Sequence, residues 1–240
     1  MSAIKLSAQK VKDVSNLKKI AEAWREAVVS RGWILNGDID SNGIRYITSF
    51  ARQLAGQGKV NVSDVVLNDP YIYISSGDKY ASKVQGDGNL SVATETISYL
   101  KNGVFKYTHC YTFATNCVVT KEYLFSYCLM LSLPANVPLN TTPLGFTRGL
   151  NKNGLWDEAS GLYGSKGGYV VCCDGHVTWF DGNKPAKFLK WDQSGYTSDI
   201  RETVPNTVLI TCTNDSRKVK ADYMGENALA IICHVGTGET

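Results

Sequence analysis

The stretch "GGYVVCCDGHVTWFDG", Gly167 to Gly182, puts Cys172, Cys173, Asp174 and His176, one of the chain's three histidines, within five positions. These residue types serve as metal ligands, or as a nucleophile with its base. A zinc site needs three or four such ligands. A Cys–His nucleophile needs an orienting group and an oxyanion hole. Neither is completed nearby, since His109 and His234 would have to converge from distant parts of the chain. Asp174-x-His176 echoes the opening of metallophosphatase motifs, but no downstream "GNH" follows. A motif match without its context is weak, so a turn aspartate and a strand histidine are the simpler reading. No C-x-x-C, P-loop, G-x-G-x-x-G, G-x-S-x-G or H-E-x-x-H occurs. "GSKGG" leads into a strand rather than a helix, and reads as a loop rather than a phosphate cradle.

A second candidate is "DIDSNG". Asp38, Asp40 and Asn42 occupy positions 1, 3 and 5 of a calcium loop, with Gly43 at the sharp turn. Position 12, where a bidentate Glu is needed, is Ser49. Calcium is therefore the one candidate cofactor, and these residues also suit a turn and a helix start.

The elements that position the cysteines come next. "YVVCC" and "HVTWF" are separated by Asp174-Gly175, a strong hairpin signal. A two-residue turn would set Cys173 opposite His176, Cys172 opposite Val177, Val171 opposite Thr178 and Val170 opposite Trp179. Val170, Cys172, Val177 and Trp179 would then share an apolar core face. Tyr169, Val171, Cys173, His176, Thr178 and Phe180 would share a mixed one. "KFLKW" follows a second Asp-Gly as a third strand, giving a β-meander over 169–191.

Upstream, residues 3–31 carry apolar residues at Leu6, Val11, Val14, Leu17, Ile20, Ala21, Trp24 and Val28. That spacing of threes and fours predicts one amphipathic helix, closed by Gly32. At about 40 Å it would be far longer than usual, and its start has no cap. A shorter helix is predicted across "IRYITSFARQLAG". "YIYIS" and "YCLMLSL" read as strands, and "SGDKYASKVQGDGN" and "PANVPLNTTP" as long loops. The predicted class is α+β: a long N-terminal amphipathic helix (1–31) packed on an antiparallel β-sheet. The sheet belongs to a globular head (32–240) with a large irregular middle region.

The 240 residues, 43% of them hydrophobic, suffice for a real core. Residues 1–31 carry seven basic and three acidic side chains, a charge of +4 that leaves −1 for the remainder. Basic residues are not interleaved with aromatics, so nucleic acid is not an expected partner. No run of 18 apolar residues and no signal-peptide pattern is present. Seven cysteines, at 110, 117, 128, 172, 173, 212 and 233, leave at least one unpaired in a monomer. Cys110–Cys117 and Cys212–Cys233 are possible bridges, and buried free thiols are the alternative.

Two stretches carry a family resemblance. "SAIKLSAQKVKDVSNLKKIAEAW" resembles the part of the first helix that follows the membrane-inserted half in bacterial type IV pilin-like proteins, where an "NLK" signature recurs. "FTRGLNKNGLWDEASGLYGSKGGYVVCCDGHVTWFDG" is similar to the C-terminal region of a pilin-like group with a "DGHV" strand-turn-strand, related to type II secretion major pseudopilins. The matching positions are Arg148, Gly149, Trp156, Gly167, Gly168, Asp174, Gly175, His176 and Val177. The group's H-x9-DG histidine would fall at Gly164, so the chain departs from that pattern.

The resemblance implies a non-enzymatic filament subunit of a type II secretion or type IV pilus-like system. Its partners would be other pilin-like subunits and secretion machinery, met through the N-terminal helix, with no catalytic residues. Residues 1–240 include neither the family's leader nor its apolar half-helix, and a capless helix is what truncation there would leave. Through that segment the protein would be anchored in the inner membrane facing the periplasm, or sit in a cell-surface filament. Two other classes stand beside this reading. One is a secreted metal-dependent hydrolase using Cys173 and His176; the other is an extracellular ligand-binding β domain.

Overall fold

A 22-residue helix, α1 (Ala3–Trp24), opens the chain and continues into a π-helical turn over Arg25–Ser30. The computed structural model describes residues 3–35, 54, 65–67, 69–78, 126–131, 133–158, 161–204 and 209–211. The second half of α1 follows the sequence pattern. Leu17, Ile20, Ala21, Trp24, Ala27 and Val28 are all buried. Gly32 ends the element at φ +68°, and Trp33 N–H donates back to Ala27 O.

The first half corrects the pattern. Val11 is 72% exposed, Leu6 and Val14 are half-buried, and the buried residues are Gln9, Asp13 and Asn16. Their spacing of four and three is that of one helix face, so the face turned inward is polar. The physical reason lies in what it meets, which is a set of hydroxyl groups rather than an apolar wall.

Five strands form one antiparallel sheet: β1 (Tyr127–Leu131), β2 (Pro143–Thr147), β3 (Gly167–Cys172), β4 (Val177–Asp181) and β7 (Leu209–Thr211). Their order is β4-β3-β2-β1-β7. β1 is an unbroken apolar run, "YCLML", as suits a strand covered on both faces. α1 lies against β2, β3 and β4. The fold is therefore α+β, with an N-terminal helix against an antiparallel sheet.

Three expectations are corrected here. "YIYIS" is not a strand, because Pro70–Tyr73 is a 3-10 turn. Pro70 suits the first position of a helical turn, and Ile72 N–H donates to Asp69 O. "KFLKW" does not extend the meander, since β5 (Phe188–Leu189) pairs with β6 (Tyr196–Thr197) in a separate ladder.

The hairpin register also differs by one residue. Val171 pairs with Val177, Val170 with Thr178 and Tyr169 with Trp179. Cys172 N–H donates to His176 O and Gly175 N–H to Cys172 O, leaving Cys173-Asp174-Gly175 as a three-residue loop. Gly175, at φ +92°, takes the left-handed position that such a loop requires. Val171, Val177, Tyr169 and Trp179 thus share a face, and Val170, Thr178 and Phe180 share the other.

The predicted helix across 44–56 lies outside the described residues except for buried Leu54. Most of the loop predicted over 76–89 also lies outside them. Among the described residues, no helix is long and apolar enough to cross a membrane.

Candidate functional site

The shift in register takes apart the Cys173–His176 pair. Cys173 is fully buried, its N–H bonded to Thr142 O, while the neighbouring Asp174 N–H is bonded to Leu139 O. His176 is exposed, its Nδ1 lying 2.7 Å from Asp174 Oδ1, which also accepts the His176 N–H at 3.0 Å. Burial, reinforced by Cys172 and Asp174, holds the Cys173 thiol well above its usual range. Burial likewise pushes Cys172 and Cys128 up to about 12. A nucleophile or zinc ligand needs the thiolate, and these sites disfavour it. All three thiols are free. Among the described residues, no group of three His, Cys, Asp or Glu is disposed to hold a metal. Asp38, Asp40 and Asn42 lie outside the described residues.

The remaining motif residues build the frame. Trp156 is buried and donates Nε1–H to Thr147 O at 3.2 Å. Its ring stacks on Phe180, which in turn packs on Phe188, so this cluster covers the sheet near β4. Gly168 is what lets Trp156 in, because a Cβ there would lie 2.2 Å from both Trp156 Nε1 and Thr147 Oγ1. Gly149 O accepts Asp157 N–H, tying the turn after β2 to the segment that carries Trp156. Gly167 opens β3 opposite Asp181, and Val177 opens β4 opposite Val171.

Arg148 leads to the part of the molecule that sequence reasoning missed. Its Nη1 and Nη2 donate to the two carboxylate oxygens of Asp78 at 2.7 and 2.8 Å, and both side chains are buried. Ser126 Oγ–H donates to Asp78 Oδ2 at 2.7 Å and accepts Ser75 N–H at 2.8 Å. Ser75 Oγ–H donates at 2.9 Å to Asp13 Oδ2. Tyr127 O–H donates to Asp13 Oδ1 at 2.8 Å, and Tyr163 O–H donates to Oδ2. Gln9 Nε2 reaches Ser75 Oγ at 3.1 Å and Asn16 Nδ2 reaches Tyr127 Oη at 3.3 Å. One continuous buried network thus joins α1, the turn at 75–78, β1, the end of β2 and the segment before β3.

The two acids in this network differ. Asp78 has the bidentate guanidinium, the strongest pairing available to a carboxylate. Asp13 has three neutral hydroxyls, and among the described residues no lysine or arginine forms an ion pair with it. Burial raises the Asp13 pKa and outweighs the hydrogen bonds from Tyr163, Tyr127 and Ser75 that lower it. Tyr127 and Tyr163 are themselves raised, by burial first and then by the charge of Asp13. Lys10, one turn earlier on α1, lies 3.7 Å over the Trp179 ring and 5.7 Å from that of Tyr163. Tyr163, Tyr169 and Trp179 meet edge to face beneath it.

Energetics separate the two halves of α1. Each fully buried Leu or Ile in the second half contributes about 1.5–3 kcal/mol. Each hydrogen bond in the first half nets about 0.5–1.5 kcal/mol, against the desolvation of a buried carboxyl. The one signal in the sequence was Gln9, Asp13 and Asn16 at helical spacing, which a search for apolar stripes passes over. Compared with family models, curated proteins and solved structures, the chain matches none.

Proposed function

We propose that this chain is a non-enzymatic filament subunit of a type II secretion or type IV pilus-like system. In this reading it is exported and assembles through its N-terminal helix with other pilin-like subunits and the secretion machinery. An apolar segment ahead of residue 1 would anchor it in the inner membrane. One observation supports this reading above the others. Ile4 and Val11 on α1 are 82% and 72% exposed, while Gln9, Asp13 and Asn16 on the opposite side are buried.

Seven residues apart, Ile4 and Val11 lie within about 20° of each other around the helix. Val11 and Asp13, two residues apart, lie on opposite sides. The first half of α1 thus turns Gln9, Asp13 and Asn16 inward and leaves Ile4 and Val11 on its outer side. An outward apolar face suits a helix that packs against neighbouring copies.

The coding sequence upstream of residue 1 tests the anchor. An apolar segment of about 20 residues behind a basic leader supports it; a stop codon or an unrelated domain there overturns it. Assembly is tested by a photo-crosslinking side chain at Val11 in cells expressing the whole gene. A ladder of multimers is expected, and products limited to the monomer would sink the proposal.

A further inference from the structure

We propose that α1 is docked in two parts, and that Ala3–Asn16 forms a latch whose hold on the sheet is set by the charge on Asp13. From Leu17 onward the seam is apolar and contains no titrating group of its own. Before it, the buried side chains are Gln9, Asp13 and Asn16. Asp13 is the hub of that seam. Its carboxyl takes hydrogen bonds from Ser75 in the 75–78 turn, Tyr127 on β1 and Tyr163 before β3. Three separate segments therefore let go together if this one group stops holding them.

Besides Tyr127 and Tyr163, described charged and titratable groups near Asp13 are Lys10, Asp78 and Tyr169. Lys10 on its own helix is engaged with Trp179 and Tyr163. Asp78, on the far side of Ser75, is matched by Arg148. Tyr169 on β3 also feels the Asp13 charge, which adds to burial in raising its pKa. Among the described residues the ionised carboxylate is held by hydroxyl donors alone, and Asp13 is fully buried. A neutral carboxyl fits the same site by donating its own proton to one hydroxyl, with no charge to desolvate.

The direction of the effect follows from linkage. Burial raises the Asp13 pKa in the docked state above its ordinary value of 3.8. The docked state therefore binds the proton more tightly than the open one. The latch is firmest below that ordinary value, and it weakens as pH rises through the raised one. Opening wets Gln9, Asp13 and Asn16 and leaves the second half of α1 in place.

Amide hydrogen exchange on the 240-residue chain tests it, with protection corrected for intrinsic exchange and followed from pH 4 to pH 8. Protection of residues 9–16 is expected to fall as pH rises, ten-fold for each unit by which docking raises the Asp13 pKa. Protection of residues 17–28 should stay level. Asp13→Asn should remove the pH dependence of the first segment. Tyr163→Phe keeps the charge but removes a donor to it, and should extend the fall to higher pH. Equal pH responses of the two segments in the parent chain would overturn the latch, as would an unchanged profile in Tyr163→Phe. The tyrosine variant decides the matter if Asp13→Asn does not fold.

Discussion

Asp78 and Arg148 meet fork to fork, through hydrogen bonds of 2.7 and 2.8 Å, with both side chains closed off from water. They stand 70 positions apart in sequence, on the turn after Ser75 and at the end of β2. Arg148 N–H also donates to Ser126 O, and Ser126 Oγ–H donates to Asp78, so the pair is built into the backbone at β1. Each partner makes the burial of the other tolerable.

Arg148→Ala should therefore unfold the chain readily, because it strands the Asp78 carboxylate. Loss of one partner from a buried pair costs about 3–5 kcal/mol. Replacing both, as Arg148→Met with Asp78→Leu, should recover most of that loss. Urea unfolding of the two variants measures the difference. Equal destabilisation by the single and the double change would refute this account of the pair.

Alkaline pH should loosen the fold in two stages. Cys128 and Cys172 are pushed to about 12 from an ordinary 9.0, and Tyr127 and Tyr163 are raised above 10.0. In each case the folded-state pKa is raised, so the stabilising contribution is whole below the ordinary value and is lost as pH climbs above it. Stability should fall from about pH 9 through the thiols, then more steeply above about pH 10 through the tyrosines. Tyr163→Phe should flatten the second stage alone. Thermal melts from pH 7 to pH 11 follow both.

How much of this was legible depends on which physical cue each element used. Leu17, Ile20, Trp24 and Val28 were readable because an apolar seam stamps the helical period directly on the sequence. Val11 misled because exposed apolar residues are common, and burial of Gln9 depends on a hydroxyl at Ser75 that no local pattern announces. The Asp78–Arg148 pair is non-local, and Arg148 drew notice only through its likeness to a motif. Asp174-Gly175 marked a turn correctly, but Asp-Gly fits both a two-residue and a three-residue loop. The choice fell to tertiary bonds from Cys173 and Asp174 to Thr142 and Leu139.

Gly168→Ala should cost about 1–3 kcal/mol, the usual range for overpacking a filled site. The added Cβ would overlap the Trp156 ring and Thr147 Oγ1, both of them buried. Trp156 would have to leave its bond to Thr147 O and its place against Phe180. Tryptophan fluorescence should shift to the red along with the loss of stability. A stable variant with an unshifted spectrum would show that Trp156 does not depend on this glycine.

The hairpin tip offers a contrast between backbone and side chain. If the stretch from Cys172 to Val177 is a structural turn, Gly175 should matter and the His176 ring should not. Gly175→Ala places a side chain at φ +92° and should cost about 1–2 kcal/mol. His176→Ala removes only an exposed contact to Asp174, worth about 0–1 kcal/mol. Added zinc should leave the melting temperature of the parent chain unchanged, because metal bound to the folded state alone raises it. A zinc-dependent rise that His176→Ala abolishes would return this tip to the list of metal sites.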